Sequence, residues 1–159
     1  MYKIIDMKKE HIDEIGNWKY EKPYDFYSFD GVNDALYKEF LDGTAFAVLD
    51  EDKNLFGYFC FGKSAQVPND TYGYNEPEFV DIGLGMNPNN CGKGKGLGFM
   101  NVGLEFAKEK YGTEKFRLSV ANFNKRAIKL YENLGFEKII SFDRTFTSGV
   151  TTFDVMLKK

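Results

Sequence analysis

The hydrophobic and polar positions of the chain follow two periods, and each period predicts its own kind of element. Apolar residues three or four positions apart predict four helices, over 8–18, over 33–41, from a glycine-rich turn to about 111, and over 124–133. Short apolar runs bounded by turn residues predict seven strands. These strands cover 2–7, 44–49, 55–62, 79–86, 116–121, 136–147 and 150–157.

The order of the elements predicts a mixed α/β fold in which helices cover both faces of a sheet. Two strand pairs are predicted to form hairpins, since the polar turn 50–54 joins one pair and Ser148-Gly149 joins the other. No repeat, low-complexity tract or long linker interrupts the sequence, so we expect a single domain over 1–159. The segment 63–78 has no clear period, and a loop of this length is more often functional than a simple connection.

The composition is that of a globular domain with a sizeable core: 43% of the 159 residues are hydrophobic, 17% aromatic and 28% charged. Lysine and arginine number 21 against 24 aspartate and glutamate residues, which gives a net charge of -3. A dedicated nucleic-acid-binding protein usually carries a basic excess or a basic stripe, and the sequence has neither. We therefore expect no nucleic-acid partner.

The sequence carries no signal for membrane insertion, secretion or metal binding. Its apolar runs are shorter than the ~18 residues that a membrane span requires, and 1–10 lack the apolar centre of a signal peptide. The two cysteines, Cys60 and Cys91, lie in different contexts and neither belongs to a CxxC pair. We expect a cytoplasmic protein with two free thiols, no metal and no membrane partner.

A glycine-rich turn, Asn-Pro-Asn-Asn-Cys-Gly-Lys-Gly-Lys-Gly at 87–96, lies between the strand 79–86 and the third helix. The first N–H groups of a helix lack partners within it and attract anions, and glycines permit close approach of the backbone. Lys93 and Lys95 add positive charge, so the turn is predicted to bind phosphate. The Walker A spacing fails because each Gly-Lys pair is followed by glycine, and the dinucleotide fingerprint fails because its third glycine is missing.

The same turn resembles the acetyl-CoA loop of the GNAT family of N-acetyltransferases, whose pattern is Gln/Arg-x-x-Gly-x-Gly/Ala. Cys-Gly-Lys-Gly-Lys-Gly at 91–96 matches this pattern, except that Cys91 stands where the family usually has Gln or Arg. A second signature of the family is similar to Asn-x-x-Ala-x-x-Leu-Tyr-Glu-x-Leu-Gly-Phe at 124–136. With both motifs the resemblance covers nearly the whole chain. It implies the GNAT acyl-CoA N-acyltransferase fold, which has a central, mostly antiparallel sheet with helices on both faces.

The resemblance implies acetyl-CoA as cosubstrate and an amine acceptor that attacks it directly, without a covalent acyl-enzyme. The strand end at Met86 would polarise the thioester carbonyl, Tyr131 would protonate the leaving thiolate, and Asn124 would bind the CoA arm. The alternative for Tyr131 is a core aromatic with its hydroxyl at the edge. The residues implied to bind the cosubstrate are Met86, Cys91, Gly92, Lys93, Gly94, Lys95, Gly96, Asn124 and Tyr131.

Acidic residues ahead of the glycine-rich turn are the candidates for a general base. Asp81 lies between two apolar residues, where strand alternation places it on one face of the strand. A carboxylate there could take the ammonium proton, directly or through water. The alternative is that Asp81 forms a hydrogen bond to a neighbouring turn, and Glu78 is the second candidate for the base.

The resemblance to the family also implies where the acceptor binds. The acceptor site would be a cleft formed by the first two helices, their connection and the last hairpin. Aromatic residues of this connection and of the segment 63–78 are expected to bind the acceptor: Trp18, Tyr24, Tyr27 and Tyr72. The acidic residues of 63–78 favour a cationic acceptor, although solvated loop charge is the commoner explanation for them.

Within the family, the chain resembles the subgroup of enzymes that acetylate protein N-termini, such as those of ribosomal proteins. A small amine remains open as the acceptor, because fold and cosubstrate site do not determine it. An alternative function is a non-catalytic sensor that binds acyl-CoA and has lost the transfer reaction. A homodimer through the C-terminal strands and the use of other acyl groups are also open.

Overall fold

The computed structural model describes residues 1–29 and 31–159, and the predicted strands and helices occur in it in the predicted order. The strands are β1 (Lys3–Asp6), β2 (Ala45–Leu49), β3 (Leu55–Phe61), β4 (Val80–Met86), β5 (Phe116–Ala121), β6 (Glu137–Phe146) and β7 (Gly149–Lys158). The helices are α1 (Lys9–Gly16), α2 (Asp34–Phe40), α3 (Gly96–Tyr111) and α4 (Lys125–Asn133). Most ends lie close to the predicted ones, because apolar periodicity and turn residues mark them locally.

Short 3₁₀ helices at Tyr24–Tyr27, Gly62–Ala65 and Pro88–Asn90 occur where the sequence predicts turns or loops. A single 3₁₀ turn is too short for apolar side chains to repeat at a recognisable period. The helix Pro88–Asn90 begins with its proline, and the side chain of Asn87 accepts a hydrogen bond from the N–H of Asn89. It forms the first part of the glycine-rich turn.

The strands form a seven-stranded sheet in the order β1-β2-β3-β4-β5-β7-β6. The pairs β1–β2, β2–β3, β5–β7 and β6–β7 are antiparallel, whereas β4 and β5 are parallel, with Val80 opposite Phe116. Both predicted hairpins, β2–β3 and β6–β7, are present. The prediction of a mixed α/β fold with a mostly antiparallel sheet is confirmed.

The described chain divides into two compact units. The first unit consists of Met1–Cys60 and Leu84–Gly103, and the second unit consists of Phe61–Gly83 and Leu104–Lys159. The expectation of a single domain stays a prediction. Within the described ranges, every helix is too short or too polar to cross a membrane.

The core of the first unit forms around α1 and β3. Ile12 and Ile15, on the inner side of α1, are fully buried. The backbone of α3 packs directly on the ring of Phe59 in β3, since a Cβ on Gly103 would lie 2.3 Å from that ring. The rings of Phe59 and Phe99 stack with centroids 4.5 Å apart. These contacts hold the start of α3, and with it the glycine-rich turn, against β3.

Helix α4, in the second unit, ends in a Schellman motif. Gly135 has a φ of +95°, the N–H of Phe136 donates to the carbonyl of Tyr131 at 3.0 Å, and the N–H of Gly135 donates to the carbonyl of Glu132 at 3.0 Å. Only glycine adopts this left-handed conformation without strain. The Leu-Gly-Phe end of the second signature is thus a helix terminator, and it places Tyr131 in the last turn of α4.

Candidate active site

The glycine-rich turn, residues 87–96, starts where β4 ends. Its first residue, Asn87, is bound to β3, because the N–H of Asn87 donates to the carbonyl of Phe56 at 2.8 Å. Gly92 and Gly94 both have a φ of +72°, in the left-handed region that a side chain disfavours. The two glycines therefore adopt a backbone conformation that residues with a side chain avoid.

Helix α3 begins at the end of this turn, and its first internal hydrogen bond runs from the N–H of Phe99 to the carbonyl of Lys95 at 3.2 Å. The N–H groups of 96–98 come before that bond, so they have no acceptor within the helix and point out of its N-terminus. Residues 92–95 are exposed, and a Cβ on Gly94 would meet no neighbour within 4 Å. Together with the helix dipole and the two lysines, this open turn can bind phosphate.

Cys91, which departs from the family pattern, is half-buried at the start of the glycines. Its Sγ lies 3.8 Å from the carbonyl oxygen of Met86 and 3.7 Å from that of Asn87, so the thiol can donate a weak hydrogen bond to the end of β4. The Met86 carbonyl also accepts a hydrogen bond of 2.6 Å from the hydroxyl of Tyr20. The sequence did not predict this contact, because no local pattern links Tyr20 to a strand 66 residues away.

Asn124 and Tyr131 lie at opposite ends of α4 in the second unit. Asn124 is the N-cap, and its Oδ1 accepts a hydrogen bond from the N–H of Ala127 at 3.1 Å. Tyr131 is 7% exposed, and its ring lies edge-on to that of Phe136 with centroids 6.0 Å apart. Both residues therefore stabilise α4, and their roles toward acetyl-CoA stay predictions.

Asp81 pairs with Arg117 in the interior of the second unit. Nε and Nη2 of Arg117 donate to the two carboxylate oxygens of Asp81 at 2.6 and 2.8 Å. Nε2 of Gln66, which directly follows a 3₁₀ turn, donates to the same carboxylate at 2.9 Å. The hydrogen bond to a neighbouring turn, which was the alternative to a catalytic role for Asp81, is therefore present. Burial disfavours the charged guanidinium, yet the hydrogen bonds and charge of Asp81 outweigh it and raise the pKa of Arg117. Glu78, the other predicted base, is exposed just ahead of β4.

Arg117 also holds the loop that precedes β4. Its Nη1 donates to the hydroxyl of Tyr72 at 3.1 Å, and its Nη2 donates to the carbonyl of Tyr74 at 3.3 Å. The guanidinium carbon lies 5.8 and 5.1 Å from the centroids of these two rings, within the range of a cation–π contact. Arg117 thus joins Asp81 and Tyr72, two predicted site residues. Sequence reasoning missed it, although a charged residue inside the apolar run 116–121 was an available signal.

The other predicted acceptor residues lie in the first unit. Trp18 is only 7% exposed and stacks on Tyr58 with ring centroids 6.3 Å apart, so it is mainly a core residue. Tyr24 and Tyr27 are half-buried on a 3₁₀ helix and keep accessible surface. Asp30, in the same connection, lies outside the described residues. The acceptor roles of the three aromatic residues stay predictions.

Comparison with known proteins decides the family. The sequence profile of the Acetyltransferase (GNAT) family matches residues 10–136, which is most of the chain. The chain belongs to this family. The predicted activity class is thereby confirmed, and this GNAT protein is an acyl-CoA-dependent N-acetyltransferase of a family that generally uses acetyl-CoA. A search of curated proteins gives no match.

Solved structures of several N-acetyltransferases share the GNAT fold of this chain. A spermidine N-acetyltransferase chimera of SpeG from Vibrio cholerae and hSSAT is 22% identical with a TM-score of 0.72, over 99% of this chain and 94% of that one. A protein provisionally assigned as a phosphinothricin N-acetyltransferase is 14% identical with a TM-score of 0.75, over 100% and 98% of the two chains. The ribosomal-protein-S18-alanine N-acetyltransferase from Escherichia coli is 16% identical with a TM-score of 0.67, over 99% and 93%. At these identities the likeness establishes the fold alone.

Among the residues that the structure describes, no three His, Cys, Asp or Glu side chains lie close enough together to hold a metal ion.

Proposed function

We propose that this GNAT protein transfers the acetyl group of acetyl-CoA to a primary amine by direct attack. The observation that carries the proposal is the glycine-rich turn, in which two left-handed glycines lead into three N–H groups at the start of α3. In a chain of the acetyltransferase family, an exposed anion site between a strand and a helix suits the pyrophosphate of CoA. Lys93 and Lys95 add charge beside it.

The end of β4 supplies the group that polarises the thioester. The N–H of Met86 would donate to the acetyl carbonyl and stabilise the negative charge that develops on its oxygen as the amine attacks. A single donor of this kind is worth about 10²–10³ in kcat. The amine nitrogen forms a bond to the carbonyl carbon, the C–S bond breaks, and the leaving thiolate takes a proton from the hydroxyl of Tyr131.

The proton that the attacking amine loses needs a base. Asp81 and Glu78 are the two candidates, and their surroundings differ. Both oxygens of Asp81 accept hydrogen bonds from Arg117, and protonation would disrupt this pair. Glu78 is exposed, so its carboxylate can exchange protons with water. We therefore favour Glu78 as the base, acting directly or through water. To Asp81 we assign a structural role, as the buried ion-pair partner of Arg117.

The acceptor belongs to one of two classes of primary amine. The first is a protein N-terminus, which the subgroup resemblance implies and which the ribosomal-protein-S18-alanine enzyme among the structural neighbours acetylates. The second is a small polyamine, since other neighbours are spermidine N-acetyltransferases. The acidic side chains of Asp70, Glu76 and Glu78 in the second unit favour a cationic acceptor of either class. The cytoplasmic location and the homodimer stay predictions.

Titration calorimetry with acetyl-CoA, CoA, ATP and NAD tests the cosubstrate. We expect both CoA species to bind and ATP and NAD to bind at least tenfold more weakly. In Gly94→Val the left-handed backbone costs about 1–2 kcal/mol, so the turn relaxes away from this conformation and has to regain it on binding. Acetyl-CoA should therefore bind about tenfold more weakly than to the wild type.

Gly112→Val is the matched control for this titration. Gly112 has a φ of +67°, and a Cβ there also meets nothing within 4 Å, but it lies beyond the other end of α3. It should lose stability as Gly94→Val does and keep its affinity for acetyl-CoA. Wild-type protein that fails to bind either CoA species would refute the proposed function.

A further inference from the structure

Tyr20 connects the segment that follows α1 to the end of β4. Its hydroxyl donates a hydrogen bond of 2.6 Å to the carbonyl of Met86, and its own N–H donates to the Oγ of Ser28 at 3.0 Å. Both contacts lie within the first unit. The second contact fixes the backbone of Tyr20 inside its connection, so its hydroxyl reaches Met86 from an ordered position.

The peptide group between Met86 and Asn87 is held at both of its polar atoms. Its carbonyl oxygen accepts the hydrogen bond from Tyr20, and its N–H donates to the carbonyl of Phe56 in β3 at 2.8 Å. The side-chain Nδ2 of Asn87 also donates a hydrogen bond to the carbonyl of Leu55 at 3.1 Å. The plane of this peptide therefore cannot rotate without breaking a hydrogen bond on one side or the other.

Tyr20 lies on the edge of β4 that matters for the thioester. Successive residues of a strand direct their N–H and C=O groups to opposite edges, and the two groups of one residue share an edge. Because the N–H of Asn87 faces β3, the N–H and C=O of Met86 face the other edge. The Tyr20 hydroxyl, bound to that C=O, lies beside the N–H that we assign to the acetyl carbonyl.

The hydroxyl of Tyr20 is a permanent donor. Burial, and after it the nearby thiol of Cys91, raise the pKa of Tyr20 well above its usual value, so the group stays protonated at physiological pH. The ring of Tyr58 covers the preceding residue, since a Cβ on Gly85 would lie 2.3 Å from it. The strand end is thus packed on one side by an aromatic ring and held by Tyr20 through its carbonyl.

We propose that Tyr20 is a positioning residue of the acetyl-transfer site, which orients the Met86 N–H toward the thioester carbonyl by holding the Met86 carbonyl. The inference rests on the proposed function. Without the hydroxyl, the carbonyl of Met86 keeps only the weak contact with the thiol of Cys91 at 3.8 Å, and residue 86 gains freedom to turn. The N–H would then point at the thioester for only part of the time, and its polarising effect would fall.

The test is the ¹³C NMR shift of [1-¹³C]acetyl-CoA bound to the protein, which requires no acceptor. A hydrogen bond to the carbonyl moves its resonance downfield from that of free acetyl-CoA. We expect this displacement in the wild type and at most half of it in Tyr20→Phe, with acetyl-CoA affinity within threefold of the wild type. With an amine substrate, kcat should fall about tenfold while KM for acetyl-CoA changes little, a smaller loss than removal of the donor itself.

Tyr111→Phe is the control, since it removes a hydroxyl from the last residue of α3. It should keep the wild-type shift and kcat. A wild-type shift in Tyr20→Phe would overturn the inference and leave the proposed function intact. Bound acetyl-CoA whose resonance equals that of the free ligand in the wild type would overturn the role of the Met86 N–H and the inference with it. Failure of the wild type to bind acetyl-CoA would overturn the proposed function itself.

Discussion

Replacement of Tyr131 by phenylalanine is expected to lower kcat by about 10²–10⁴, the usual contribution of a general acid. The thiolate of CoA would then leave without a proton donor. The ring lies in the last turn of α4 against Phe136, and phenylalanine preserves that packing, so the protein should stay folded. Stopped-flow or steady-state thiol release measures kcat, and calorimetry measures the affinity for acetyl-CoA, which we expect to stay within threefold.

The same variant separates an enzyme from a non-catalytic sensor. An enzyme loses turnover and keeps its affinity, whereas a sensor has no turnover to lose. Tyr111→Phe serves again as the control for loss of a hydroxyl. Equal kcat in Tyr131→Phe and the wild type would show that another group, or water, protonates the thiolate.

Replacement of Asp81 by alanine is expected to lower the free energy of unfolding by about 3–5 kcal/mol, because it removes the buried carboxylate that pairs with the Arg117 guanidinium. Glu76, whose carboxylate lies 4.0 Å from Nη1 of Arg117, then remains as a more distant charged neighbour. Arg117 is 2% exposed, and Asp81 accepts two of its hydrogen bonds. Urea unfolding followed by circular dichroism measures the loss. Lys108→Ala is the control, because it breaks an exposed ion pair to Glu114, and its effect should be far smaller. A loss in Asp81→Ala as small as that of the control would contradict the structural role assigned to the pair.

A double replacement, Asp81→Leu with Arg117→Met, distinguishes the structural role of Asp81 from a catalytic one. Apolar residues in place of a buried pair often restore stability, so the double variant should unfold at a higher urea concentration than Asp81→Ala. A stable double variant that keeps turnover excludes Asp81 as the base, and a loss of turnover in Glu78→Gln then assigns proton transfer to Glu78. A stable double variant without turnover, together with an active Glu78→Gln, would instead make Asp81 the base.

The parts of the fold that follow from local pattern could be predicted from the sequence. The strand 116–121 and the helix that ends before Gly135 depend on apolar spacing and on one turn residue each, so a single stretch of sequence contains the signal. The glycine-rich turn is also local, since its left-handed glycines and the helix start are close together in the chain. Its ability to bind an anion could therefore be predicted from the residues of that stretch alone.

The contacts that set the geometry of the site could not be predicted from local sequence patterns. Tyr20 and Met86 are separated by 66 residues, and neither residue type indicates the other. Asp81 and Arg117 are separated by 36 residues, and each is a charged residue in an apolar strand. Such a residue is expected to have a charged partner, but the sequence does not show which residue that partner is. Long-range pairing of this kind depends on how the strands are ordered in the sheet, and periodicity carries no information about that order.

Thiol release from acetyl-CoA in the presence of amines tests the central claim most directly. The panel contains a peptide with a free N-terminal alanine, spermidine, and the same peptide with its N-terminus acetylated. We predict release that depends on a free amine, with one acetylated amine formed for each thiol released, as mass spectrometry would show. Absence of release with every amine, in protein that binds acetyl-CoA, would contradict the proposed transferase activity and leave a protein that only binds the cosubstrate.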